Sequence, residues 1–224
     1  MVSIVLSSGR YREAWGRFTF RWWLKTIGIT AYITGFMFIY FTLLRHPQFP
    51  VTVMPLTAVD RAIPFAPWSL FLYATLWIYI SLVPGMLWSW SEMREYLLQV
   101  SLLSLLGFVI FLFWPTEVPA ELIDWSHDPA VAFLKSVDAA GNACPSLHVA
   151  FAVLSALWLQ RLLSHVAMPL HIHLINWLWC LGILYSTLAT KQHVALDLYA
   201  GVAAGLAVAL LRPPPAFSSA PLAT

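Results

Sequence analysis

The chain has 224 residues, of which 60% are hydrophobic and 10% charged, and its formal net charge is +2. Soluble domains carry roughly 25% charged residues, so this chain lacks the exterior that water requires. It also lacks the long basic stripe of a nucleic-acid binder, and Cys144 and Cys180 fit no metal or redox spacing.

The apolar residues fall in long runs, with most of the charge between them. A helix needs about 20 residues to cross roughly 30 Å of hydrocarbon. On that scale the sequence predicts six spans, at 25–44, 67–87, 97–115, 147–164, 168–186 and 193–211. The expected fold class is therefore all-α, a six-transmembrane helical bundle of a polytopic membrane protein. Residues 1–24 read as a cytoplasmic N-terminal segment, 25–211 as one membrane domain and 212–224 as a disordered cytoplasmic tail. The first run is too long for a signal-peptide core and reads as a retained anchor. Arg161, near the end of the fourth run, can snorkel to the interface.

The loop charges set an orientation. Arg10, Arg12, Arg17, Arg21, Lys25, Arg94, Arg161 and Arg212 share one side of a six-span topology, and Arg45, Arg61, Lys135 and Lys191 share the other. Eight against four places both termini in the cytoplasm by the positive-inside rule. Trp22, Trp23, Trp68, Trp88 and Trp90 fall near span ends, as interfacial anchors do. The expected setting is a plasma or bacterial inner membrane.

The loop 45–66 is rich in proline, which argues against a regular helix there. Pro84 and Gly85 mark either a kink in the second span or its end. The loop 116–146 is the longest and most polar, and its stretch 129–140 reads as a short interfacial helix.

The informative polar residues open the fourth and sixth runs. Pro145 fits a helix start and Ser146 a cap or first-turn position. A helix N-terminus offers unpaired N–H groups and a favourable dipole to an anion, and His148 stands beside it. His193 and Asp197 are four apart, on one helical face. Asp197 lies inside an apolar segment and needs a partner, for which His193 is the nearest candidate. Both runs start on the same outer side, so His148 can meet the His193–Asp197 pair. Two histidines, a carboxylate and a helix N-terminus suit phosphoryl transfer, one histidine attacking phosphorus and the other protonating the leaving oxygen.

These residues carry a resemblance to the type 2 phosphatidic acid phosphatase superfamily. Its P-S-x-H motif resembles Pro145-Ser146-Leu147-His148, and its S-R-x5-H-x3-D motif resembles the segment from Ser186-Thr187 through His193 to Asp197. The resemblance implies a phosphohistidine on His193, oriented by Asp197, with His148 as general acid and Ser146 on a phosphate oxygen. Two departures stand out. Thr187 replaces the usual arginine, and the first motif, K-x6-R-P, is absent where 113–119 (FWPTEVP) stands. In these departures the chain resembles most the branch of inositol phosphorylceramide synthases and related phosphotransferases. Arg61 and Lys191 are the candidate replacement cations, and Ser186 and Thr187 are candidate phosphate contacts or helix caps.

The expected activity is that of a membrane phosphoesterase or phosphotransferase on a lipid-linked phosphate. Water as acceptor makes it a phosphatase, and an alcohol such as inositol makes it a transferase. A proton-coupled transporter or flippase built on Asp197 is the non-enzymatic alternative. No cofactor, metal, nucleic acid or obligatory protein partner is expected; membrane lipids surround the bundle. His171 and His173 fall on the opposite membrane side from the other two histidines, which argues against a shared metal site. Asp124, His127 and Asp128 could bind a headgroup from the long loop. Gly201 and Gly205 form a small-xxx-small pattern suited to close helix packing.

Overall fold

The structure, a computed structural model, describes residues 2–119, 141–213 and 215–218. The stretch 129–140, with Lys135, and the three loop residues Asp124, His127 and Asp128 lie outside the described residues.

Helices dominate. Among the described residues they are, in chain order, α1 (Val2–Thr19), α2 (Trp22–Arg45), α3 (Ala58–Ala62), α4 (Leu70–Ala74), α5 (Leu76–Met86), α6 (Trp90–Phe113), α7 (Leu147–His165), α8 (Leu170–Ala189) and α9 (Ala195–Leu211). A 3-10 turn, Pro67–Ser69, leads into α4, and two short strands, β1 (Thr52–Val53) and β2 (Thr116–Glu117), pair in parallel.

Among the described residues, five stretches are long and apolar enough to cross a membrane: α2, Pro67–Met86, α6, α7 and α8. The sixth expected span is α9, an apolar helix of 17 residues, a little under the usual crossing length. Large apolar side chains point outward along these helices; Phe38, Phe71 and Leu210 are about three-quarters exposed. Lipid, not water, suits that exterior.

Local sequence explains where the helices begin and break. Ser89 accepts the Glu92 N–H while Glu92 reaches back to the Ser89 N–H, a capping box that starts α6 seven residues before the apolar run does. Thr57 and Asp60 form the same box at α3, so a short helix forms inside the proline-rich loop that argued against one. The second span is interrupted at Thr75, between α4 and α5. The Thr75 hydroxyl donates to the Leu72 carbonyl at 2.6 Å and accepts from Trp179 Nε1 at 2.9 Å, a side-chain bond that competes with the backbone at that point. Pro84 lies in the last turn of α5, near its end.

Helix α1 and residues 215–218 gather at one pole of the bundle. Arg17 of α1 is fully buried and donates to the Met86 carbonyl, to Glu92 Oε2 at 3.4 Å and to the Ser218 carbonyl. The Ser218 N–H donates to Glu92 Oε1 at 3.1 Å, and Phe217 packs edge-on against Trp158. Residues 215–218, expected to be without structure, are thus tied to the bundle by a buried ion pair. Lys25 adds bonds to the Arg17 and Gly85 carbonyls, and Arg10 reaches the Ala167 carbonyl.

The opposite pole holds the loops that carry the site. β1 and β2 join the loop after α2 to the loop after α6. The Thr116 hydroxyl then accepts the Cys144 N–H at 2.8 Å, fixing the approach to α7. Helix α7 is the most buried helix and packs on α5, α8 and α9.

Candidate active site

The N-terminus of α7 and the turn before α9 meet at this second pole. Ser146 is the N-cap of α7, its hydroxyl accepting the Val149 N–H at 3.3 Å. Its own N–H donates to the Asp197 carbonyl at 3.0 Å, so the cap of one helix is bonded to the first turn of the other. The helices come this close because Gly201 has no side chain. A Cβ there would stand 2.5 Å from the Ser146 carbonyl oxygen, and one at Gly205 would stand 2.7 Å from that of Ala150. The glycine pair therefore serves close packing, as its spacing suggested.

That contact brings His148 and His193 together, with ring centroids 5.8 Å apart. His193 lies in the turn before α9 and is nearly buried, and Asp197 behind it is fully buried. His193 Nδ1 lies 3.6 Å from Asp197 Oδ2, a contact longer than a hydrogen bond. The same carboxylate oxygen accepts the Val194 N–H at 2.9 Å, so Asp197 caps its own helix while facing His193.

The Ser186 hydroxyl donates to the Ile183 carbonyl at 2.6 Å and the Thr187 hydroxyl to the Leu184 carbonyl at 2.8 Å. Both bonds stay within α8. The Thr187 carbonyl accepts the Gln192 and His193 N–H groups, closing the turn that presents His193. Lys191, at φ 55°, supplies the left-handed residue of that turn. Its ammonium donates to the Asp60 and Ile63 carbonyls at 2.9 and 2.6 Å. Burial lowers its pKa from the ordinary 10.5, and the Asp60 carboxylate opposes the shift. Arg61 is exposed on α3. His171 and His173 stand in the first turn of α8, at the far end from Ser186. No cluster of three metal-ligating side chains occurs among the described residues.

Three residues of the site had no signal strong enough to single them out. Asp60 holds the His193 turn onto α3: its Oδ1 accepts the Ala195 N–H at 2.7 Å and its Oδ2 accepts from Thr57. The Thr57-x-x-Asp60 spacing, a capping-box pattern, could have found it. Tyr73 stacks on His148 at 4.6 Å, its hydroxyl 3.4 Å from His148 Nδ1. Trp77 meets the same ring edge-on. Both look like ordinary apolar-span residues in the sequence. The Cys144 thiol, also in this pole, is pushed up to about 11, by burial first and the Asp197 carboxylate second; it stays a neutral neighbour.

A cavity of about 590 Å³ begins at this aromatic-lined histidine. It runs between α2 on one side and α4 to α7 on the other, past Tyr40, Phe36 and Tyr32, to Lys25 near the other pole. Its wall is almost wholly apolar. The α2 residues along it, from Leu24 to Phe41, cover roughly 25 Å at about 1.5 Å per residue.

The model of one family, the PAP2 superfamily, matches residues 52–211. The chain belongs to the PAP2 superfamily. This superfamily consists in general of phosphatase-type enzymes acting on lipid phosphates. The matched stretch includes Arg61, Ser146, His148, Ser186, Thr187, Lys191, His193 and Asp197; α1 and α2 precede it. No curated protein and no solved structure matches the chain.

Proposed function

We propose that this PAP2-superfamily protein transfers the phosphoryl group of a lipid-linked phosphate through a phosphohistidine on His193. The observation that carries the reading is the facing pair His148 and His193, held on two helices with a buried carboxylate behind one of them. The apolar cavity that ends on His148 supports a lipid substrate, since it offers a hydrocarbon chain a path beside the site.

Asp197 faces Nδ1, so Nε2 of His193 is the nucleophile. Nε2 attacks phosphorus, the N–P bond forms and the P–O bond to the lipid or headgroup oxygen breaks. His148 gives its proton to that oxygen. Water or an alcohol then attacks the phosphohistidine while His148 takes the proton of the incoming O–H, and the N–P bond breaks. The Ser146 hydroxyl and the N-terminus of α7 provide donors for the phosphoryl oxygens. Ser186 and Thr187 shape the turn that presents His193. Lys191 holds that turn on α3, and Arg61 adds positive potential at the rim. No cofactor enters these steps.

In this reading α9 is the sixth crossing. The arginine-rich pole with both termini faces the cytoplasm and the histidine pole faces outward, in a plasma or bacterial inner membrane. The acceptor separates hydrolysis by water from transfer to an alcohol of the kind used by inositol phosphorylceramide synthases.

The test is turnover of a panel of lipid phosphates and diphosphates by purified protein, with and without alcohol acceptors, and products identified by mass. His193→Ala is expected to lower turnover by at least about a thousandfold while the protein still inserts and folds. Full activity in that variant refutes the mechanism, and His193-independent movement of lipid between leaflets would indicate a flippase instead.

A further inference from the structure

Nearly every buried polar group in a folded protein has a hydrogen-bond partner, and an exception needs a reason. Gln192 is such an exception. It is 5% exposed, its Nε2 is fully buried, and its side-chain amide makes no hydrogen bond among the described residues. Its backbone N–H is satisfied by the Thr187 carbonyl, so the turn does not depend on the side chain. The residue directly precedes His193, whose Nδ1 also has no hydrogen bond among the described residues.

The charge around the site sharpens the point. A phosphoryl-transfer site needs donors for the oxygens that gain charge in the transition state. The first cationic motif is absent and Thr187 stands where the arginine would be. The Lys191 ammonium is directed to two carbonyls, and Arg61 is exposed. What the pole offers instead is neutral: the Ser146 hydroxyl, the first N–H groups of α7 and the Gln192 amide.

We infer that Gln192 is a substrate-contacting residue whose side-chain amide donates to a phosphoryl oxygen of the lipid phosphate, taking part of the role of the missing cations. The inference rests on the phosphoryl-transfer reading above. Binding of the phosphate supplies the partner that the fold withholds, and the amide does so without adding charge to a buried site.

The experiment compares wild type, Gln192→Met and Gln192→Glu in the lipid-phosphate turnover assay, with orthovanadate as a competing phosphate mimic. Methionine keeps the length of the side chain and removes the donor; glutamate removes the donor and adds an anion. The expected result is a fall in kcat of about 100-fold for Gln192→Met, the scale of one lost oxyanion donor, and a larger fall for Gln192→Glu. Vanadate inhibition should weaken in the same order. The Tm of Gln192→Met should stay level or rise, because an unpartnered buried amide is exchanged for an apolar group.

A kcat within twofold of wild type in Gln192→Met, with His193→Ala silent, overturns the role of Gln192 alone. Loss of fold in both Gln192 variants also overturns it, since the side chain would then be structural. A wild type that turns over no lipid phosphate and ignores vanadate overturns the phosphoryl-transfer reading itself.

Discussion

Gly201→Ala tests whether the helix contact sets the chemistry. The new Cβ would stand 2.5 Å from the Ser146 carbonyl oxygen and 3.0 Å from Val149 Cβ, where ordinary contact begins at 3.4 Å. The Ser146 oxygen is backbone and already accepts the Ala150 N–H, so it cannot swing aside alone. Helices α7 and α9 must part by about 1 Å to restore contact distance. Overpacking of this kind costs about 1–3 kcal/mol, offset by up to about 1 kcal/mol from the better helix propensity of alanine. The net fall in stability is then about 0–3 kcal/mol, read as a drop in Tm. The effect on activity is larger. The same 1 Å separates His148 from His193, and a misplacement of that size costs roughly 100-fold in rate, about 2.7 kcal/mol of barrier. Thermal unfolding and kcat on the lipid-phosphate panel measure the two effects separately. Gly205→Ala is the control: its Cβ meets the Ala150 oxygen at 2.7 Å, about 6 Å further along the helix. It should lower Tm similarly and kcat less. A folded Gly201→Ala protein with wild-type kcat refutes the argument that this close approach positions the histidines.

Two further outcomes follow from buried charge. Glu92→Ala takes the carboxylate from Arg17 and removes the cap of α6, with an expected loss of about 3–5 kcal/mol; an unchanged Tm in detergent would contradict the buried pair as the anchor of this pole. Burial lowers the Lys191 pKa from 10.5, so below pH 10.5 the unfolded chain holds more protons here than the folded one, and the contribution of this residue to stability rises with pH through that window. Replacing it, as Lys191→Met, should flatten the high-pH slope of Tm measured against wild type, and an identical slope would count against the shift.

The membrane character of the chain was legible in composition and in its long apolar runs, because such runs suit helices that cross hydrocarbon and a chain with so little charge has a poor exterior for water. The ends of the helices were less legible. Polar residues form the first turns of α6, from Trp90 to Arg94, and a capping box reads as a loop when only hydropathy is followed. The second span is interrupted at Thr75, where proline drew attention nine residues later. The short helix α3 was hidden by the prolines around it.

Within the site, sequence by itself determined the candidate groups proposed to react: His148 after Pro145-Ser146, and His193 with Asp197 four residues on, since helical periodicity and short motifs are local properties. Tertiary structure alone decided which groups meet. The bond from the Ser146 N–H to the Asp197 carbonyl, the glycine contact that permits it, the grip of Asp60 on Ala195 and the stacking of Tyr73 on His148 join residues 51 to 135 positions apart. No local pattern records such pairings, because they arise from packing whole helices against one another. The same packing leaves the Gln192 amide buried without a partner, which an isolated glutamine in a sequence cannot reveal.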